Sequence, residues 1–218
     1  MSEANVKDRR KYQRVHFEAS PQSLSVNIEG YGASVVFDMS YNGAALAQPS
    51  QKPVENAGDL IKIHLVTEID KATVEARIVR ATAKAIACEF IDIPSTARII
   101  IDRLVTDRMI GLNMQLIDPS HYSPQSDFSH WFYGPKETNL FLWAKGDKLT
   151  RAQFNLNNVV LVYEDDEFFF ENKDATNVDL PKLNNQQILQ KASAIITQMH
   201  SNVQPLMDFK KLIAEQIG

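Results

Sequence analysis

Cysteine is almost missing from this sequence: Cys88 is the single thiol, so no internal disulfide and no cysteine cage for a metal can form. That fits a reducing compartment. Long apolar runs are missing too. The longest, such as 159–162 and 99–101, are far too short to cross a bilayer, and the first residues lack the apolar core of a signal peptide. A cytoplasmic protein without membrane insertion is expected. Assembled catalytic patterns are also lacking: there is no G-x-S-x-G elbow, no H-E-x-x-H and no phosphate loop, and Cys88 has no evident base beside it. Neither an enzyme nor a bound cofactor is expected. His121 and His130 have no plausible zinc partners, and the acidic run Glu164–Glu167 lacks calcium-loop spacing, so it reads as a charged hairpin tip rather than a metal site.

An excess of positive charge is lacking as well. With 23 Lys and Arg against 27 Asp and Glu, the net charge is −4, which argues against general nucleic-acid binding. The distribution is uneven, however. Lys7, Arg9, Arg10, Lys11 and Arg14 crowd the start against Glu3 and Asp8, leaving an acidic remainder with a basic arm. Residues 1–8 have nothing to bury and are expected to be disordered without a ligand.

Alternating apolar residues begin after that arm. Leu24, Val26 and Ile28 mark one strand, Ala33–Phe37 a second and Ala44–Ala47 a third; Ile61–Leu65, Val74–Ile78 and Ala85–Phe90 follow. About six short strands without long helices between them favour antiparallel pairing in a small barrel, which also removes exposed edges. After Pro94, the residues Ile99, Ile100, Leu104, Val105 and Met109 recur at helical spacing as far as Gly111. This helix is expected to cover an open end of the barrel.

Two short motifs carry the chemistry of this half. Arg10 and Arg14 form an R-x-x-x-R pair ahead of the first alternation, and Asp38, Ser40 and Gly43 form a D-x-S-x-x-G turn behind the strand 33–37. Arginine's planar fork matches the O6/N7 edge of a guanine or straddles a phosphate. Asp38 is an acceptor suited to guanine N–H groups, Ser40 supplies a small hydroxyl, and Gly43 allows a tight turn or a close approach. Together they suit a compact, guanine-bearing anion.

In order, separation and context, these motifs resemble the PilZ domain family of bacterial cyclic di-GMP receptors over roughly residues 9–110. The resemblance implies a six-stranded antiparallel β-barrel with a covering helix. It also implies a cyclic di-GMP site in which Arg10 and Arg14 wrap the nucleotide while Asp38, Ser40 and Gly43 hold a guanine. Arg9 is expected to stack on or pair with a second nucleotide. Tyr12, Tyr41 and Asn42 lie within or beside the motifs. Cys88 stands where a glycine or other small residue is expected in the closing strand.

The second half resembles no family. Pro119, Pro124 and Pro135 with several serines suggest a linker over 112–135, dividing a domain at 9–111 from a module at 136–218. In that module 139–143, 153–156, 159–163 and 167–171 read as a β-meander whose apolar residues need a cover. Asn184 and Gln187 make a capping-box start for a helix striped by Ile188, Leu189, Ala192, Ile195, Ile196, Met199 and Val203; Pro205 ends or kinks it, and a last helix follows. Trp131, Phe132, Tyr133 and Trp143 are mostly core by default. The whole reads as an α+β chain: a cyclic di-GMP receptor that relays binding by ordering its arm, with an unidentified protein partner and dimerisation left open. A PilZ-like interaction module that ignores the nucleotide is the alternative.

Overall fold

The computed structural model describes residues 13–17, 24–67, 70–156, 159–172 and 184–217. The chain divides into two compact units, 1–105 and 106–218.

In the first unit, short alternating strands build one antiparallel sheet. β1 (Val15–His16), β2 (Ser25–Ile28), β3 (Gly32–Ser34), β4 (Val36–Ser40), β5 (Gly43–Ala47), β6 (Leu60–Val66), β7 (Lys71–Ala81) and β8 (Ala85–Asp92) pair in the order β1-β4-β5-β8-β7-β6-β2-β3. The stretch expected as one strand, 33–37, is shared between β3 and β4, which only Val35 separates. β3 pairs with β2 at one end of the order while β4 pairs with β5 near the other. A single run of chain therefore joins the two ends and curls the sheet toward a barrel; with β3 and β4 taken as one bent strand it holds the six expected strands and, in addition, the short β1. The inward residues Val26, Ile28, Val36, Met39, Leu46, Ile63, Leu65, Val74, Ile78, Ile86 and Phe90 form the core, and the period of two in each strand is what selects them.

Helix α1 (Ser95–Leu112) follows. It buries Ala97, Ile100, Ile101 and Leu104, and Arg103 pairs with Asp70 at 3.0 Å. Ile99, expected in the apolar stripe, is 56% exposed instead, because the buried face is centred one residue further along. Residues through Val105 fall in the first unit and those from Thr106 in the second.

The second unit is a six-stranded antiparallel sheet backed by helices. β9 (Gln115–Leu116), β10 (His130–Gly134), β11 (Thr138–Lys145), β12 (Lys148–Leu156), β13 (Val159–Glu164) and β14 (Glu167–Asn172) pair in sequence order. Where the prolines suggest a linker over 112–135, the chain instead contributes β9 and β10 to this sheet, with a short 3-10 turn at Pro119–His121 between them. Apolar residues at Met114 and Phe132 outweigh the local turn composition. The meander itself stands where its alternation puts it. Asp165 and Asp166, at φ 51° and 64°, make the two-residue turn between β13 and β14, the left-handed pair that a tight hairpin needs.

One face of this sheet, through Phe132, Leu140, Leu142, Ala152, Phe154 and Leu161, packs on α2 (Asn185–Ile196) and α3 (Gln204–Ile217). Asn184 and Gln187 close a capping box at the start of α2. The helix ends at Ile196, so Met199 and Val203 lie past it, and Pro205 sits in the first turn of α3. Its missing N–H costs nothing there. Phe132 is buried in this core, while Trp131, Phe141 and Trp143 stand half-buried on the opposite face, where Phe128 packs against all three. No described helix is long and apolar enough to cross a membrane.

Candidate functional site

Residues 14–17 run alongside β4, and that pairing brings the two motifs together. Val15 lies opposite Met39 and His16 opposite Asp38, and the Phe17 N–H donates to the Phe37 carbonyl at 2.9 Å. Val15 and Met39 point into the core, so Arg14, His16 and Asp38 beside them point out. Arg14 Nη1 donates to Asp38 Oδ1 at 2.5 Å, a partly buried charge-assisted bond across 24 positions of sequence. The last arginine of R-x-x-x-R and the aspartate of D-x-S-x-x-G thus meet on the outer surface of the barrel. Arg9, Arg10 and Tyr12 lie outside the described residues.

Asp38 is aimed by an irregularity in β4. Val36 pairs with Leu46 and Asp38 with Ala45, two consecutive residues of β5, so Phe37 is the extra residue of a β-bulge. Consequently Phe37 and Asp38 both face outward, between buried Val36 and buried Met39. Sequence alternation alone does not reveal the bulge, and neither Phe37 nor His16 stands out without the register.

Ser40 and Gly43 do different work. Ser40 is buried; its hydroxyl lies 3.4 Å from both the Gly43 carbonyl and the Asn42 N–H, within the turn that joins β4 to β5. At Gly43 a β-carbon would lie 2.3 Å from the Cys88 carbonyl oxygen, so β5 and β8 run together only because no side chain is there. The close approach that the motif glycine allows is one of backbone on backbone. Arg98 of α1 donates to the Tyr41 carbonyl at 3.4 Å and holds the turn from the other side.

Behind the turn, Cys88 lies opposite Ala44 and its thiol donates to the Ala44 carbonyl. Burial pushes this thiol up to about 11, only partly offset by that hydrogen bond and by the Arg14 charge. It is an inert packing group in the wall beneath the Arg14–Asp38 pair. Among the described residues no cluster of His, Cys, Asp or Glu could hold a metal.

The family model of the PilZ domain matches residues 8–107. This half of the chain is a PilZ domain. The match takes in both motifs and the whole curled sheet, and the residues beyond it match no family. No curated protein matches the chain. Among solved structures, the chain is similar to the PilZ domain of CeSA from a cellulose-synthesizing bacterium, at 19% identity and a TM-score of 0.31, over 43% of this chain and 95% of that one. It is also similar to an uncharacterized Legionella protein, at 16% identity and a TM-score of 0.31, over 41% of this chain and 87% of that one.

Proposed function

We propose that the PilZ domain binds cyclic di-GMP on the outer surface of the barrel beside β1 and β4, and that the protein is a receptor rather than an enzyme. The observation that carries this reading is the meeting of Arg14 with Asp38, an anion-binding fork and a guanine-matching carboxylate from two separate motifs. PilZ domains are a family of cyclic di-GMP receptors, and both signature motifs stand complete in this sequence.

In this reading each residue has a distinct part. Arg9, Arg10 and Arg14 reach phosphates and guanine edges. A carboxylate accepts several hydrogen bonds, so the single N–H of Arg14 on Oδ1 leaves Asp38 capacity for a guanine's N–H groups. Ser40 and Gly43 act by fixing the turn that carries Asp38. In this reading the nucleotide is bound and released unchanged.

Ordering the arm over the ligand is the proposed signal. Fixing one backbone residue costs about 1–2 kcal/mol, while charge-assisted hydrogen bonds return about 1.5–3 kcal/mol each. A few such bonds plus stacking reach micromolar affinity, about −8 kcal/mol. A cytoplasmic protein partner that reads the ordered arm, and the possibility of self-association through the second unit, belong to the same proposal.

Equilibrium dialysis of labelled cyclic di-GMP against the wild type, Arg14→Ala and Asp38→Ala tests it. Saturable binding by the wild type and a loss of at least about tenfold in each variant are expected. Equal uptake by all three proteins would refute this site.

A further inference from the structure

We infer that Phe37 is a base-stacking residue, an aromatic wall against which the guanine held by Asp38 lies. The inference rests on the cyclic di-GMP reading above and names a contact that neither motif contains.

Three observations carry it. Phe37 is the extra residue of the β4 bulge, which puts it on the same outward surface as Asp38. Phe37 is 45% exposed, and Val35, two residues before it, is 47% exposed, so apolar surface precedes Asp38 along the chain. The backbone there is fixed: the Phe37 carbonyl accepts from Phe17 N–H and the Val35 carbonyl from Ala47 N–H, each within 2.9 Å.

The geometry follows from how a carboxylate reads a base. Hydrogen bonds to guanine N–H groups lie in the plane of the base, so the faces of a base held by Asp38 stand across that direction. A ring one residue along the same surface is then within reach of a face of that base, on which it can stack. Stacking of bases on aromatic side chains is tolerant of small shifts and does not involve the phosphates. A bulge that merely relieved strain would have no need of a large apolar side chain pointed at water. Phe37 therefore selects ligands that carry a planar base, while the arginines supply the attraction for phosphate.

Calorimetric titration of cyclic di-GMP into the wild type, Phe37→Ala, Phe37→Leu, Phe37→Trp and Arg14→Ala, each at several salt concentrations, tests the assignment. Phe37→Ala is expected to bind roughly tenfold more weakly, with the salt dependence of its affinity unchanged, because no phosphate contact is lost. Phe37→Trp should keep affinity within about threefold of the wild type, and its indole emission should change on binding over the background of Trp131 and Trp143. Phe37→Leu, which preserves bulk without a ring, should fall below the wild type even if Phe37→Ala proves too unstable to measure. Wild-type affinity in Phe37→Ala and Phe37→Leu, with binding lost in Arg14→Ala, would overturn the stacking role and leave the receptor reading intact. No binding by the wild type would overturn both.

Discussion

A β-carbon at Gly43 would meet the backbone carbonyl of Cys88 at 2.3 Å, and neither partner is a flexible side chain. Gly43→Ala is therefore expected to lower stability by about 1–3 kcal/mol, seen as a lower urea midpoint with or without nucleotide. Arg14→Ala should leave the unfolding free energy within about 1 kcal/mol of the wild type, since it removes one partly exposed pair. Cys88 adds a dependence on pH. Its folded value, near 11, lies above the ordinary thiol value of 9.0, so the unfolded chain releases the proton first. The stability this contributes is complete below pH 9 and is lost as pH rises toward 11. Between about pH 8 and pH 10 the wild type should lose about 1 kcal/mol more than Cys88→Ala in urea unfolding; parallel losses would show that the thiol titrates normally. At this scale the sequence displays residue types and spacing, so Arg14 and Asp38 are legible as a pair through the family pattern. The turn-building parts of Ser40 and Gly43 depend on which backbone lies behind them, and no spacing carries that.

Elements were legible where period was clear and obscure where one residue changed the register. Most strands of both sheets, though not β1, β9 or β10, follow from alternation, and the capping box of α2 follows from Asn184 with Gln187. The bulge in β4 does not, because its extra residue is defined by the partner strand. Gly111 looks like a helix stop, yet α1 continues through it to Leu112. Its reason is contact: a β-carbon there would lie 1.8 Å from the Ile195 carbonyl oxygen of α2. Gly111→Ala should accordingly separate these helices and destabilise the second unit by at least about 2 kcal/mol, more than the cost of about 1 kcal/mol expected for Asn184→Ala at the cap. Thermal unfolding followed by Trp131 and Trp143 fluorescence, both in that unit, would rank the two variants. The reverse order would mean that α1 and α2 do not need this close approach.

On the scale of the molecule, the chain divides earlier than its composition suggests. Prolines 119, 124 and 135 mark turns inside the second unit rather than a tether before it. Ile110 and Met114 belong to that unit's core, and Asp107 pairs with Lys191 at 3.2 Å. A fragment of residues 106–218 should therefore unfold at a distinctly higher urea concentration than one of 113–218, which loses Asp107, Ile110 and Gly111; equal midpoints would place the boundary after α1. The PilZ half was readable because its motifs recur across a family, whereas the second half offers periodicity without a functional pattern. The central claim concerns the first half, and calorimetric titration of cyclic di-GMP into the intact wild-type protein, with cyclic di-AMP as control, tests it most directly. Saturable binding at about micromolar affinity or tighter, absent for the adenine analogue, which lacks the guanine N–H pattern that suits Asp38, is the predicted result. A folded protein that gives no heat with cyclic di-GMP, or that binds both dinucleotides alike, would contradict the account.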